Sequence, residues 1–187
     1  MPLLKNSSGQ ERAEDAQERR QQGRELPALI ESLQAVEPEK RRWAARDLAG
    51  CPEAVDALCD RLEVEHDESV RQAILNALMR IGDSRVCERL TALLRSEDAA
   101  LRNSVIEVMQ NLPQVVAPYM ERLLSDDDSD VRIFAVDILQ VLQHENAPRW
   151  LLEVVERDAH VNVVGAALDR LAEIGTPDMV PALLSAR

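Results

Sequence analysis

One short pattern occurs three times in the sequence at almost constant spacing: Asp67-Glu-Ser-Val-Arg71, Asp98-Ala-Ala-Leu-Arg102 and Asp128-Ser-Asp-Val-Arg132. The copies lie about 30 positions apart, a period typical of repeat proteins built from helical hairpins. Weaker copies begin one period earlier at Glu37 and one period later at Asp158. The spacing therefore predicts five consecutive units between residues 37 and 187.

Each unit carries the apolar periodicity of two helices. After Asp67 the apolar residues recur at the spacing of one helix face, and Gly82-Asp83 then ends that helix. A second apolar stripe begins at Val86. Because one such hairpin cannot bury its apolar face alone, neighbouring units are expected to stack. The sequence thus predicts an all-α fold, an α-solenoid of about five hairpins, with repeats near 37–66, 67–97, 98–127, 128–157 and 158–187.

The N-terminal residues differ from the repeats. Residues 1–24 are polar and mixed in charge, a composition typical of a mobile tail. Residues 25–36 carry the apolar stripe of a second helix, and we expect them to form a cap in front of the first repeat. The solenoid is therefore expected to span residues 25–187.

The repeats resemble HEAT repeats, in the short form named after phycobilisome lyase subunits. The resemblance rests on two segments: Asp67-x-x-Val-Arg71 through Ala77-Leu-Met-Arg-Ile-Gly-Asp83, and Ala172-Glu-Ile-Gly-Thr-Pro-Asp-Met-Val-Pro-Ala-Leu183. It implies a right-handed superhelix of helical hairpins. It also implies a structural ladder between repeats, formed by Asp67, Arg71, Asp98, Arg102, Asp128 and Arg132.

Charge and composition exclude several classes of partner. The chain of 187 residues has a net charge of -12, which argues against binding to nucleic acid or to an anionic membrane surface. No apolar run is long enough to span a membrane, and the first residues lack the apolar region of a signal peptide. Three cysteines without a CxxC pair indicate a reducing compartment, so we expect a cytoplasmic, acidic, bacterial-type protein.

No sequence motif points to catalysis, a metal or a cofactor. Phosphate-binding, hydrolase and zinc-protease motifs are missing, and no His or Cys pair has the spacing of zinc ligands. Asp126-x-Asp128-x-Asp130 imitates the start of a calcium loop, but Val131 stands where that loop needs glycine. We therefore expect a protein that is not an enzyme and that holds no metal or cofactor.

The second helices carry the residues best suited to bind a protein partner. Aligning the repeats places Arg89, Tyr119 and Trp150 at one equivalent position, and these residue types are enriched at binding hot spots. Alternatively, the two aromatic side chains only cover the seam between repeats. Trp43 and Phe134 fall on first-helix core positions and are expected to pack internally. The predicted partner-binding residues are Arg85, Glu88, Arg89, Tyr119, Arg122, Arg149, Trp150 and Glu153.

The fifth unit departs from the pattern. Its arginine position is Asn162 by one count and Val164 by another, which indicates a small insertion. Gly165 lies inside a predicted helix, where we expect close helix packing to require it. A last helix near 177–187 would lack a polar cap, so either further chain or another molecule is expected to cover it. A homodimer through this repeat is the simplest arrangement, burying Val180, Leu183 and Leu184.

Two functions are compatible with these features, and a third is disfavoured. The preferred one is a non-catalytic adaptor or scaffold that holds another protein in the concave groove. The alternative, implied by the resemblance, is an accessory factor for assembly or cofactor attachment, because phycobilin lyase subunits help to attach or remove linear tetrapyrroles on partner proteins. A HEAT-like DNA glycosylase would need a basic groove, and lysine is lacking after Lys40.

Overall fold

The computed structural model describes residues 25–142, 144–175, 177–180 and 184. Within these residues the fold is all-α, without strands, and consists of the helical hairpins of a HEAT-like repeat solenoid, as the sequence predicted. The chain divides into two compact units after Ile81. The predicted tail, residues 1–24, and Leu183 of the predicted last helix lie outside the described residues. No helix in the described ranges is long and apolar enough to cross a membrane.

The first unit contains helices α1 (Leu26–Ser32), α2 (Pro38–Asp47), α3 (Val55–Val64) and α4 (Glu68–Ile81). Proline begins α2, which suits the first turn because the N–H that proline lacks would have no helical partner there. Both α2 and α3 pack against α4, and α1 packs against α2. The chain leaves α2 through Gly50, whose φ of 94° belongs to the left-handed region that glycine adopts readily.

The second unit repeats this arrangement. Its helices are α5 (Ser84–Leu93), α6 (Ala99–Gln110), α7 (Pro113–Val116), α8 (Met120–Leu124), α9 (Ser129–Leu139), α10 (Ala147–Arg157) and α11 (Val161–Ile174). The first helices of its hairpins, α6, α9 and α11, pack side by side, and the second helices follow the same order beside them. The second helix of the third repeat is broken into α7 and α8 by a short 3-10 turn, Ala117–Tyr119, in which Pro118 has no N–H to continue an α-helix.

Trp43 does not pack in the core, so that expectation is wrong. Its side chain is 52% exposed, and the Arg46 guanidinium lies 5.2 Å from the centre of its ring. The physical reason is the register of α2, which buries Ala44 and Ala45 and turns the preceding residue towards solvent. Phe134 is half-buried, with the Arg102 guanidinium 5.6 Å from its ring centre.

Close packing does not explain Gly165 in α11. Apart from the neighbouring backbone of its own helix, no described atom lies within 4 Å of the position that a Cβ would occupy, so the expectation of tight contact is wrong. Gly165→Ala is therefore expected to stabilise the protein by about 0.5–1 kcal/mol, because alanine restricts the unfolded chain and favours the helix. Thermal unfolding followed by circular dichroism should show a higher Tm. Ala166→Gly, one position later, should lower the Tm; a lower Tm for Gly165→Ala would contradict the account.

Candidate functional site

Each aspartate of the repeated pattern caps the helix that follows it. Oδ1 of Asp98 accepts hydrogen bonds from the backbone N–H groups of Ala100 and Leu101, at 2.9 and 3.2 Å, at the start of α6. Asp67 and Asp128 accept equivalent bonds from the first turns of α4 and α9. These carboxylates therefore satisfy N–H groups that have no partner within the helix.

The arginine four positions after each cap ties its helix to the preceding turn. Arg71, Arg102 and Arg132 each donate to the carbonyl oxygen six residues earlier, at 2.6, 2.5 and 2.7 Å. Arg132 also reaches into the next repeat, where its Nε and Nη2 donate to the carboxylate of Asp158 at 2.6 and 3.0 Å. The aspartates of the pattern cap their own helices, so they do not receive this arginine. Its carboxylate partner, Asp158, instead stands two positions before His160, which occupies the N-cap position of the next helix.

The same kind of contact between repeats appears in the first unit, where Glu65 supplies the carboxylate. This residue was not identified from the sequence. Arg41 donates to its carboxylate through Nε and Nη2 at 2.7 and 2.8 Å, and Arg61 through Nε at 2.9 Å. The backbone N–H groups of His66 and Asp67 also donate to it, each at 2.9 Å. Burial favours the protonated acid, but the hydrogen bonds from both arginines outweigh it and lower the pKa of Glu65 to about 2.

The second unit has a cavity of about 600 Å³ beside α10, which is open to solvent on one side. Apolar groups from Leu124, Trp150 and Val154 form part of its wall. The remaining lining is mostly charged, and includes carboxylates from the Asp126-Asp127 turn as well as several arginines. Cavities of this size are typical of sites for small molecules and cofactors.

Trp150 forms the aromatic part of this wall. It is 5% exposed, and its ring stacks on His144 with a centroid distance of 4.8 Å. Its Nε1 donates a hydrogen bond to Oε1 of Glu121 at 3.1 Å. Trp150 is buried because it belongs to the stripe of α10 that also contains Ala147 and Val154.

Arg149 lies at the exposed edge of the cavity. Its guanidinium nitrogens are 3.3 Å from Oε1 of Glu121 and 3.5 Å from Oε1 of Glu153, and its side chain is 56% exposed. Ion pairs this exposed contribute about 0–1 kcal/mol, so Arg149 can exchange them for a ligand carboxylate at low cost. Arg157 lies about two helical turns after Arg149 on α10. It is exposed and has no ion pair among the described residues.

The rest of the predicted partner-binding set lies on α5 and around α8. The hydroxyl of Tyr119 is 3.4 Å from Oε1 of Glu88, and the Arg122 guanidinium lies 5.3 Å from the Tyr119 ring centre. Burial and the charge of Glu88 raise the pKa of Tyr119. Arg85 and Arg89 lie one helical turn apart on α5, beside Glu88.

The described residues contain no group of three or more His, Cys, Asp and Glu side chains arranged to hold a metal ion. The carboxylate of Asp126, part of the calcium-like stretch, instead accepts bonds from the backbone of Asp128 and from Arg95. Although burial opposes it, these contacts lower the pKa of Asp126. Burial also raises the pKa of the Cys87 thiol to about 11, so this thiol stays protonated at neutral pH.

Comparison with known proteins connects these features to a family. The family model for HEAT repeats matches residues 26–110 and 116–187. The bilin biosynthesis protein PecE of Mastigocladus laminosus is 34% identical over 152 residues, which cover 79% of this chain and 56% of PecE. PecE of a Nostoc species is 31% identical over 152 residues, with 79% and 59% coverage. The chain thus spans somewhat more than half the length of these relatives.

A solved structure also aligns with most of the chain, at low similarity. The complex of CpcE and CpcF of phycocyanin lyase from Nostoc sp. aligns with a TM-score of 0.40 and 19% identity, over 86% of this chain and 81% of that one. The expectation that the protein is not an enzyme is contradicted by its similarity to two bilin biosynthesis proteins. The matched repeats cover most of the chain, which belongs to the HEAT repeat family and is similar to the bilin biosynthesis protein PecE.

Proposed function

We propose that this chain is the HEAT-repeat subunit of a bilin lyase-type enzyme, which holds a linear tetrapyrrole while a protein partner receives or releases it. The cavity beside Trp150 is the observation that carries this proposal, because it adds a place for the pigment to the similarity with bilin biosynthesis proteins. The chain covers only 56% of the length of PecE, so the part that it plays in bilin attachment is itself proposed.

The chemistry of a bilin matches the lining of the cavity. A linear tetrapyrrole has a flat conjugated surface, several pyrrole N–H donors and two propionate carboxylates. Trp150 and Val154 offer an apolar wall, Asp127 offers an acceptor for N–H groups, and Arg149 and Arg157 offer cations for the propionates. Charge-assisted hydrogen bonds to arginine fix the orientation of a carboxylate.

The chain's own side chains would bind and orient the pigment rather than bond to it. No cysteine lines the cavity, and among the described residues Cys59 and Cys87 are buried elsewhere. A thiol that accepts the bilin would therefore come from the protein partner. The carboxylates near the pyrrole nitrogens would then stabilise a protonated ring, which is more reactive towards a thiol.

A titration with biliverdin, a linear tetrapyrrole with two free propionates, tests this proposal. The visible absorption of biliverdin should change saturably with the wild-type protein. Arg149→Gln should weaken binding about tenfold, because one charge-assisted contact to a propionate is lost. The dimethyl ester of biliverdin lacks free propionates, so the wild type and Arg149→Gln should bind it with equal, weak affinity.

Arg170→Gln supplies the matched control for this titration. Arg170 lies on α11 outside the cavity lining and pairs with Glu173, so its loss removes the same charge without touching the proposed site. Its affinity for biliverdin should equal that of the wild type. Equal binding of biliverdin and its dimethyl ester, or equal losses of affinity for Arg149→Gln and Arg170→Gln, would contradict the proposal that the cavity binds the pigment.

A further inference from the structure

One carboxylate oxygen joins the aromatic wall of the cavity to the cation at its edge. Oε1 of Glu121, on α8, accepts a hydrogen bond from Nε1 of Trp150 at 3.1 Å and another from Nη2 of Arg149 at 3.3 Å. A carboxylate oxygen has two lone pairs and so accepts both bonds. All three residues line the cavity. Glu121 therefore reaches from the third repeat to both of the side chains on α10 that the proposed site uses most.

The two bonds to Glu121 differ in how readily a ligand replaces them. Trp150 is buried, and a buried indole N–H requires an acceptor, so its bond to Glu121 holds the carboxylate in place. The side chains of Arg149 and Glu121 are 56% and 69% exposed, and an ion pair this exposed is weak. Trp150 thus keeps the Glu121 carboxylate beside Arg149, while the guanidinium stays accessible to a ligand.

The Glu121 carboxylate takes up part of the place that a ligand carboxylate needs. A guanidinium binds a carboxylate most strongly through two parallel N–H groups. In Arg149 one of these nitrogens, Nη2, donates to Glu121, and the other, Nη1, is 3.5 Å from Oε1 of Glu153. A propionate that binds Arg149 through both nitrogens must displace these contacts, and it then lies close to the like charge of Glu121.

We infer that Glu121 is a specificity-determining residue, an internal carboxylate that competes with the carboxylate of the ligand for Arg149 and so favours its release. The inference rests on the proposed function and adds how the affinity of the same site is limited. A subunit that passes its ligand to a partner must let the ligand go, and Glu121 restores the counter-charge of Arg149 when the ligand leaves. Loss of the Glu121 charge should therefore strengthen binding, which loss of a merely structural residue would not do.

Glu121→Gln isolates this competition, because the amide oxygen of glutamine still accepts the Trp150 N–H while the negative charge is lost. In the absorption titration, this variant should bind biliverdin about three- to fivefold more tightly than the wild type. The gain should appear mainly as slower dissociation of the pigment after dilution. The affinity for the dimethyl ester should stay within about 1.5-fold of the wild type, because the ester has no carboxylate for Arg149. In an Arg149→Gln background, Glu121→Gln should give no gain.

Glu156→Gln supplies the matched control, because Glu156 is exposed on the same helix as Arg149 but lies outside the cavity lining. It should leave the affinity for biliverdin within about 1.5-fold of the wild type. Circular dichroism establishes that each variant is folded.

Three results would overturn the inference while the wild type still binds biliverdin and the proposed function stands. They are unchanged or weaker binding by Glu121→Gln, an equal gain for the dimethyl ester, and an equal gain in Glu156→Gln or in the Arg149→Gln background. Absence of biliverdin binding in the wild type and in Glu121→Gln alike would overturn both the inference and the proposed function.

Discussion

Glu65→Gln is expected to lower the free energy of unfolding by about 3–5 kcal/mol, because it leaves a buried arginine without its counter-charge. Glu65 is 1% exposed and joins Arg41 and Arg61, while its oxygens also accept two backbone hydrogen bonds. The midpoint of urea unfolding, followed by circular dichroism, should fall accordingly. Glu68→Gln, at an exposed position three residues later, should change stability by no more than about 0.5 kcal/mol.

The pH dependence of unfolding gives the same prediction an independent test. The pKa of Glu65 is lowered to about 2 in the folded chain, below its usual value of 4.5. A carboxyl with a lowered pKa stabilises the folded state at neutral pH, and this contribution is lost as the pH falls from about 4.5 to about 2. Glu65→Gln should therefore lose less stability than the wild type over this range. Parallel losses in the two proteins would show that Glu65 does not hold the first unit together.

Trp150→Ala is expected to destabilise the protein by about 3–5 kcal/mol, because it removes a large buried ring and leaves a void. The ring is 5% exposed and stacks on His144. Trp150→Phe should cost less, since it keeps an aromatic ring there and loses mainly the hydrogen bond to Glu121. Urea unfolding measures both variants.

Trp43→Ala is the natural control for Trp150→Ala. Trp43 is 52% exposed, and the Arg46 guanidinium lies over its ring. Its replacement should cost no more than about 1 kcal/mol. If the two alanine variants were equally stable, the assignment of Trp150 to the buried wall of the cavity would be untenable.

The helices could be predicted from the sequence because their signal is local. The period between Asp67, Asp98 and Asp128 follows from the sequence, and in the structure each of these residues begins a helix. The burial of Trp150 could also have been predicted from the sequence, since Trp150 stands three residues after Ala147 and four before Val154 on one helix face. Aligning the repeats placed Trp150 with Arg89 and Tyr119, which are only half-buried, and so gave no indication that Trp150 is buried.

The carboxylates that receive the ladder arginines could not be assigned from the sequence. Glu65 is 24 residues from Arg41, and Asp158 is 26 residues from Arg132, so each contact depends on the backbone path of an intervening hairpin. One regularity does point to them. An oxygen-bearing side chain stands two positions before the capping residue of four helices and accepts the N–H of that capping residue. These side chains are Glu65, Ser96, Asp126 and Asp158.

The same regularity fixes the register of the fifth unit. His160 precedes α11, and Oδ1 of Asp158 accepts its N–H at 2.8 Å, as Asp126 does for Asp128. The arginine position is therefore Val164, four residues after His160. The insertion lies before Asp158 rather than inside the helix that follows it. Val180 is exposed in the described part of the C-terminal segment, and the homodimer expected there stays a prediction.

The location of bound bilin is the most direct test of the proposed function. In a Trp43→Phe background, Trp150 is the sole tryptophan of the chain, and it lines the cavity. Addition of biliverdin should quench its fluorescence saturably, in step with the change in visible absorption, because the pigment accepts excitation energy from a ring it contacts. An absorption change without quenching of Trp150 would place the pigment elsewhere, and an unchanged biliverdin spectrum would contradict the proposed function itself.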